Sequence, residues 1–121
     1  TLINDSALEE AYFEGTGDNK SAIEIYKDFY ENPISNKLVK DVCVALAKGL
    51  VPIVNILNPD FIILEGNINI IKKDVYKLII KELEKRTFGN LSENLVIESS
   101  TFAKESANKG IGSLTVEKII I

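Results

Sequence analysis

The stretch Asn58-Pro59-Asp60-Phe61-Ile62-Ile63-Leu64-Glu65-Gly66-Asn67 decides how the chain is read. Asn-Pro-Asp is turn chemistry, because proline fixes φ and withholds a donor while short polar neighbours bond local backbone. Asp60 therefore belongs to the turn and not to catalysis. Phe61-Ile62-Ile63-Leu64 follows with no polar alternation, the pattern of a strand covered on both faces. Glu65-Gly66-Asn67 ends it.

Upstream of this block the spacing predicts a long helix over 35–57, about 34 Å at 1.5 Å per residue. Its second half, Val42 to Leu57, is apolar nearly all round and should lie in the middle of the protein. Lys48, Gly49, Pro52 and Asn55 break the stretch, and a membrane span needs about 20 mostly apolar residues, so a core helix is expected. Pro52 should bend or loosen it. Cys43 lies within it as a buried structural thiol. Before Asn32-Pro33, a helix over 20–31 capped by Asp18 or Asn19 carries Ile23, Tyr26, Phe29 and Tyr30 on one buried face. A first helix over 6–14 takes its cap from Asn4-Asp5-Ser6 and stops at Gly15-Thr16-Gly17.

Downstream, a helix over 70–86 turns Val75, Leu78, Ile79 and Leu83 inward. Thr87 to Asn94 is a polar connection, 95–98 is a second strand, and 106–119 is a final helix holding Gly110 and Gly112. Strand, helix, strand is one βαβ unit with parallel strands. The fold class is α/β, helix-rich. Two parallel strands leave both outer edges unpaired, so the pattern implies partner strands that the sequence does not contain, as in half of a larger α/β protein with the missing strands in a neighbouring segment.

The 121 residues are 45% hydrophobic and 26% charged, which suits one packed domain. A net charge of -4 argues against a phosphate-binding basic module. With no His and one Cys, a zinc site, a disulfide framework and Ser-His-Asp or Cys-His catalysis all lack their residues. Charge is uneven: residues 1–33 hold eight acids and two lysines, the remainder ten acids and twelve bases. Lys73, Lys77, Lys81 and Lys85 recur every four residues along one helix face, which reads as a solvated outer face, with an anion or partner contact as the alternative. No carboxylate pair stands out as acid and base, so no catalytic residue is assigned. The chain opens on Thr1 and has no Met, which suggests a processed product or excised fragment. No secretory signal opens it, and a cytoplasmic protein is expected.

Two places invite a ligand. Glu65-Gly66-Asn67 lies at the carboxyl end of the first strand, where open α/β sheets bind ligands. Gly66 there serves close approach, positive φ, or simply the turn. Gly110 and Gly112 sit inside a predicted helix, where each costs about 1 kcal/mol relative to Ala. Close packing or a ligand against the backbone would offset that.

In order, these elements resemble the C-terminal part of the ROK family (repressor, open reading frame, kinase). The densest match runs from Leu46-Ala47-Lys48-Gly49-Leu50-Val51-Pro52 through Asn58-Pro59-Asp60 to Leu64-Glu65-Gly66, like the family's helix, Asn-x-x-x-Pro turn and strand ending in glycines. Ser6-Ala7-Leu8 and Ser106-Ala107-Asn108-Lys109-Gly110-Ile111-Gly112 match the flanks. The resemblance implies the C-terminal portion of a ribonuclease-H-like domain of the actin and sugar-kinase type. It implies homo-oligomers, usually dimers, with no membrane contact. Family members are ATP-dependent sugar kinases or sugar-responsive repressors that reach DNA through a helix-turn-helix. Full-length members often bind zinc, and the kinases bind ATP and Mg. Their phosphate loop, catalytic Asp, zinc ligands and most sugar contacts would precede this segment.

Gly66, Asn67, Gly110 and Gly112 correspond to what remains of the nucleotide wall. Kinases usually place consecutive glycines here, whereas Glu65 and Asn67 flank a single Gly66. The closing helix has Glu105-Ser106-Ala107-Asn108 in place of the kinases' Asp-Ala-Gly. Both departures favour a repressor over an ATP-dependent hexose kinase. A ligand-free oligomerisation domain is the third reading.

Overall fold

Asn4 opens the first helix: its Oδ1 accepts the Ala7 amide at 2.7 Å, and α1 runs Asp5–Thr16 until Gly17, at φ 77°, turns the chain away. The computed structural model describes residues 4–89, 92–99 and, for the backbone, 118–120. Leu8 and Tyr12 are the buried residues of α1.

The second helix is shorter than its periodicity suggests. α2 spans Ala22–Lys27, and its cap is Ser21, whose Oγ accepts the Glu24 amide at 3.2 Å, instead of Asp18 or Asn19. Residues 28–31 are turns, where Phe29 bonds back to Tyr26 and both Glu31 and Asn32 bond back to Asp28. That break rotates the last aromatic out of register. Ala22, Ile25, Tyr26 and Phe29 are buried, whereas Ile23 is 45% and Tyr30 67% exposed. Tyr30 instead points its hydroxyl at Asp74.

α3, Pro33–Leu57, starts two residues before its predicted position. Asn32 accepts the Ile34 and Ser35 amides at 2.9 and 3.1 Å, and Pro33 occupies the first helical position, where its missing N–H costs nothing. The helix continues through Pro52. Pro52 and Lys48, whose carbonyl the proline cannot bond, are both exposed, so water can take that acceptor. Asn58 ends the helix at φ 45°, its N–H bonding to Val54 at 2.9 Å. Val39, Val42, Cys43, Leu46, Ala47, Leu50 and Val54 form the inner stripe. The C-terminal end is not covered all round, for Ile56 and Leu57 are exposed.

β1, Phe61–Leu64, lies between β2, Val96–Ser99, and β3, Lys118–Ile120, with both pairings parallel. Phe61 faces Val96 on one side and Lys118 on the other. Ile62, Ile63 and Leu64 are all buried, as the unbroken apolar run predicts. Ile62, Leu64 and Ile97 join the core with Leu50 and Val54 of α3. The second strand sits one residue later than 95–98.

The predicted helix over 106–119 is corrected at its end, where Lys118 and Ile119 are strand; 106–117 lie outside the described residues. Lys118-Ile119-Ile120 ends in β-branched residues that suit a pleated strand. It pairs with β1, so the chain itself fills one of the edges expected to need a partner from elsewhere.

Between β1 and β2 the chain makes a 3₁₀ turn, Asn67–Ile70, and then α4, Lys73–Glu84, three residues later than the expected start. Lys72 enters the helix at φ 60° and ψ -112°. Val75, Tyr76, Ile79 and Leu83 are buried, and Leu78 is half-buried. Lys73, Lys77, Lys81 and Lys85 are exposed, as a solvated face requires. Among the described residues no helix is long and apolar enough to cross a membrane.

Candidate functional site

Gly66 has φ 97° and ψ -173°, a backbone state essentially reserved for glycine. Among the described residues, its two chain neighbours aside, nothing lies within 4 Å of where its Cβ would stand, so conformation and not crowding by them demands the glycine. The peptide then turns so that the Asn69 amide bonds to the Gly66 carbonyl at 3.2 Å. The Asn69 side chain locks this turn from inside, donating to the carbonyls of Leu64 at 2.8 Å and Gly66 at 3.2 Å. Tyr76 of α4 in turn donates its hydroxyl to Asn69 Oδ1.

Asn67 points elsewhere. Its Nδ2 donates to Asp5 Oδ2 at 2.8 Å, joining the turn after β1 to the N-terminus of α1. The turn, α1, α2 and α3 enclose a pocket of about 190 Å³. Asn4, Asp5, Glu65, Gly66 and Asn67 supply its polar rim, and Tyr26, Val42, Leu46, Leu64 and Ile68 its floor. Burial, with the Asp5 carboxylate adding to it, holds the Tyr26 phenol above its usual range, so its proton stays on at physiological pH.

The pocket's chemistry is one-sided. Among the described residues two carboxylates and two amides line it, and no Lys or Arg does. Such a rim accepts hydrogen bonds from hydroxyls and repels anions. Among the described residues no group of three His, Cys, Asp or Glu is placed to hold a metal ion that would offset the carboxylates. Cys43 is buried, and burial pushes its thiol up to about 12.

Of the predicted site residues, Gly66 and Asn67 meet at this pocket, while Gly110 and Gly112 lie outside the described residues. Asn4, Asp5, Tyr26 and Asn69 were not expected at a site. Asn4 and Asp5 carry a local signal only for helix capping, and Tyr26 only for a core face.

The ROK family model matches residues 1–118. The chain belongs to the ROK family. Among solved structures it is similar to a ROK family transcriptional regulator, a homologue of the E. coli MLC protein, with a TM-score of 0.71 and 17% identity. That alignment covers 82% of this chain and 28% of the regulator, so the chain spans under a third of that neighbour's length. At this identity the likeness speaks to the fold. No curated protein matches the chain significantly.

Proposed function

We propose that this ROK chain is the C-terminal part of a ribonuclease-H-like domain in a sugar-responsive transcriptional repressor, where it contributes lobe structure and dimerisation. One observation carries the reading: among the described residues the pocket after β1 has a carboxylate-rich rim with no cation, which suits hydroxyl groups and disfavours a polyphosphate. A ROK regulator as structural neighbour agrees with it. In this proposal the complete protein closes two lobes on a sugar, alters the dimer geometry, and so changes how paired helix-turn-helix units fit their half-sites. The protein works in the cytoplasm. No catalytic residue is assigned to this chain.

The test uses the complete gene product. Calorimetric titration with neutral hexoses and with ATP, alongside operator affinity with and without sugar, separates the readings. Sugar binding that changes DNA affinity, without ATP binding, is expected. ATP binding with hexose phosphorylation would assign the chain to a kinase.

A ligand-free oligomerisation domain has one observation of its own. Ile56, Leu57, Phe88 and Val96 are 79, 52, 75 and 41% exposed. They gather at one end of the fold, where the Phe88 amide bonds to Asn55 and the Val96 amide to the Asp60 carbonyl. No response of the complete protein to any sugar would favour that reading.

A further inference from the structure

The connection from β1 to α4 has an unusual backbone state at each end. Gly66 opens it at φ 97° and ψ -173°, and Lys72 closes it at φ 60° and ψ -112°. Among the described residues the non-glycine positions of positive φ are Asn58 and Lys72. Asn58, at ψ 56°, sits in the ordinary left-handed well, whereas Lys72 lies well outside it. Such a state persists in a residue with a Cβ only where surrounding contacts over-determine it, and it concentrates at switches and ligand clamps.

The contacts that hold residues 66–71 are side-chain ties. The Asn69 amide bonds to the Gly66 carbonyl at 3.2 Å and the Ile71 amide to the Ile68 carbonyl at 3.4 Å, both inside the segment. Among the described residues no backbone hydrogen bond joins 66–71 to another element. Instead Asn67 donates to Asp5 of α1 at 2.8 Å, Asn69 to the Leu64 carbonyl at 2.8 Å, and Tyr76 of α4 to Asn69. Ile68 is the segment's buried residue. Strain at Lys72 thus opposes three ties and one apolar anchor.

This segment borders the pocket described above. Gly66, Asn67 and Ile68 line it, and the Asn67–Asp5 bond bridges its rim to α1. At about 190 Å³ the pocket is smaller than the roughly 300–1,000 Å³ of ordinary small-molecule sites. Swinging Asn67 and Ile68 outward about Gly66 and Lys72 breaks the bridge, enlarges the cavity and lets Lys72 relax to a negative φ.

We propose that residues 66–72 form a strap that opens locally, with the surrounding helices intact, to admit ligand to the Gly66 pocket. Tyr76 and Asn69 hold the strap down, and the backbone of Lys72 works against them. None of these three is among the pocket's lining residues, so they set its opening and not its chemistry. The proposal rests on the reading of that pocket as a hydroxyl-binding site, but the motion is measurable without ligand.

Hydrogen–deuterium exchange by mass spectrometry on the complete gene product tests it. Peptides spanning 66–72 should exchange through an opening far easier than the one that exposes α3, with little dependence on urea. Lys72→Gly relieves the strain of the closed strap and should slow that exchange about threefold. Tyr76→Phe removes the tie on Asn69 and should speed it about threefold. Stopped-flow association of a neutral hexose should follow the same order, slower in Lys72→Gly and faster in Tyr76→Phe, a kinetic effect that a merely static turn would not produce. Exchange of 66–72 only together with α3, both variants shifting it in one direction, or hexose association indifferent to both would overturn the proposal. If no hexose binds the complete protein, the sugar reading fails and the exchange result alone decides for or against the strap.

Discussion

Asn67 reaches 62 residues back along the chain to give its side-chain amide to Asp5 at 2.8 Å. This bond fastens the turn after the central strand to the start of the first helix, and both residues line the pocket. Asn67→Ala should cost about 0.5–1 kcal/mol, because the bond is solvent-exposed and water partly replaces it. Urea denaturation measures the loss. Asn67→Asp should cost more than Asn67→Ala, since it sets two carboxylates face to face.

Gly66→Ala tests the backbone and not the space. A Cβ would meet no atom of the described residues beyond its chain neighbours within 4 Å, yet at φ 97° any L side chain is strained. The expected loss is about 1–3 kcal/mol in the same urea experiment. A neutral Gly66→Ala would mean that the turn adopts another conformation in solution.

The turn-strand-turn block from Asn58 to Gly66 was legible because its signals are local: a proline, an unbroken apolar run and a glycine within nine positions. Its parallel pairing with 96–99 followed from the intervening helix. Ile23 and Tyr30 were misplaced because they fit a helical face that the hydrogen bonds to Asp28 and Tyr26 cut short. Lys118 and Ile119 were misplaced for a related reason, helical spacing carried into a stretch whose fate depends on β1 as a partner. Part of the candidate site was visible, in Gly66 and Asn67. Asp5 was not, since a side-chain bond between positions this far apart leaves no periodic mark on either.

Ser35 lies at the first turn of α3 with its side chain fully buried and its Oγ without a hydrogen-bond partner among the described residues. Its backbone N–H is already met by Asn32. Removing an unsatisfied buried hydroxyl relieves a desolvation cost, so Ser35→Ala should be neutral or stabilising by up to about 1 kcal/mol. A thermal or urea midpoint clearly below wild type would reveal that the hydroxyl has a partner, such as a buried water.

Lys72 enters α4 at φ 60° and ψ -112°, an uncommon state for a residue with a Cβ. Its exposed side chain makes no capping bond. Lys72→Gly removes the steric penalty while adding chain entropy to the unfolded state, and the balance should favour the variant by about 0.5–1 kcal/mol. Lys72→Ala, which keeps the Cβ, should not gain.

Cys43 supplies a test with a defined pH window. Burial raises its thiol from 9.0 to about 12, so the folded state holds this proton more tightly than the unfolded chain does. The resulting stabilisation is present in full below about pH 9 and is lost as pH rises toward 12. At neutral pH the native thiol is both protonated and covered, so a thiol reagent should label it only through unfolding, at a rate that rises with urea. Cys43→Ala leaves a small cavity and should be less stable at pH 7, yet it should lose less stability between pH 9 and 11 than wild type does. Tyr26, also held up by burial, keeps an alkaline loss in both proteins; Cys43 contributes the smallest of the causes that raise it, so the difference between the two curves reports the thiol together with its effect on Tyr26. Rapid native-state labelling of Cys43 at pH 7, independent of urea, would show that α3 does not pack this residue against its neighbours as described.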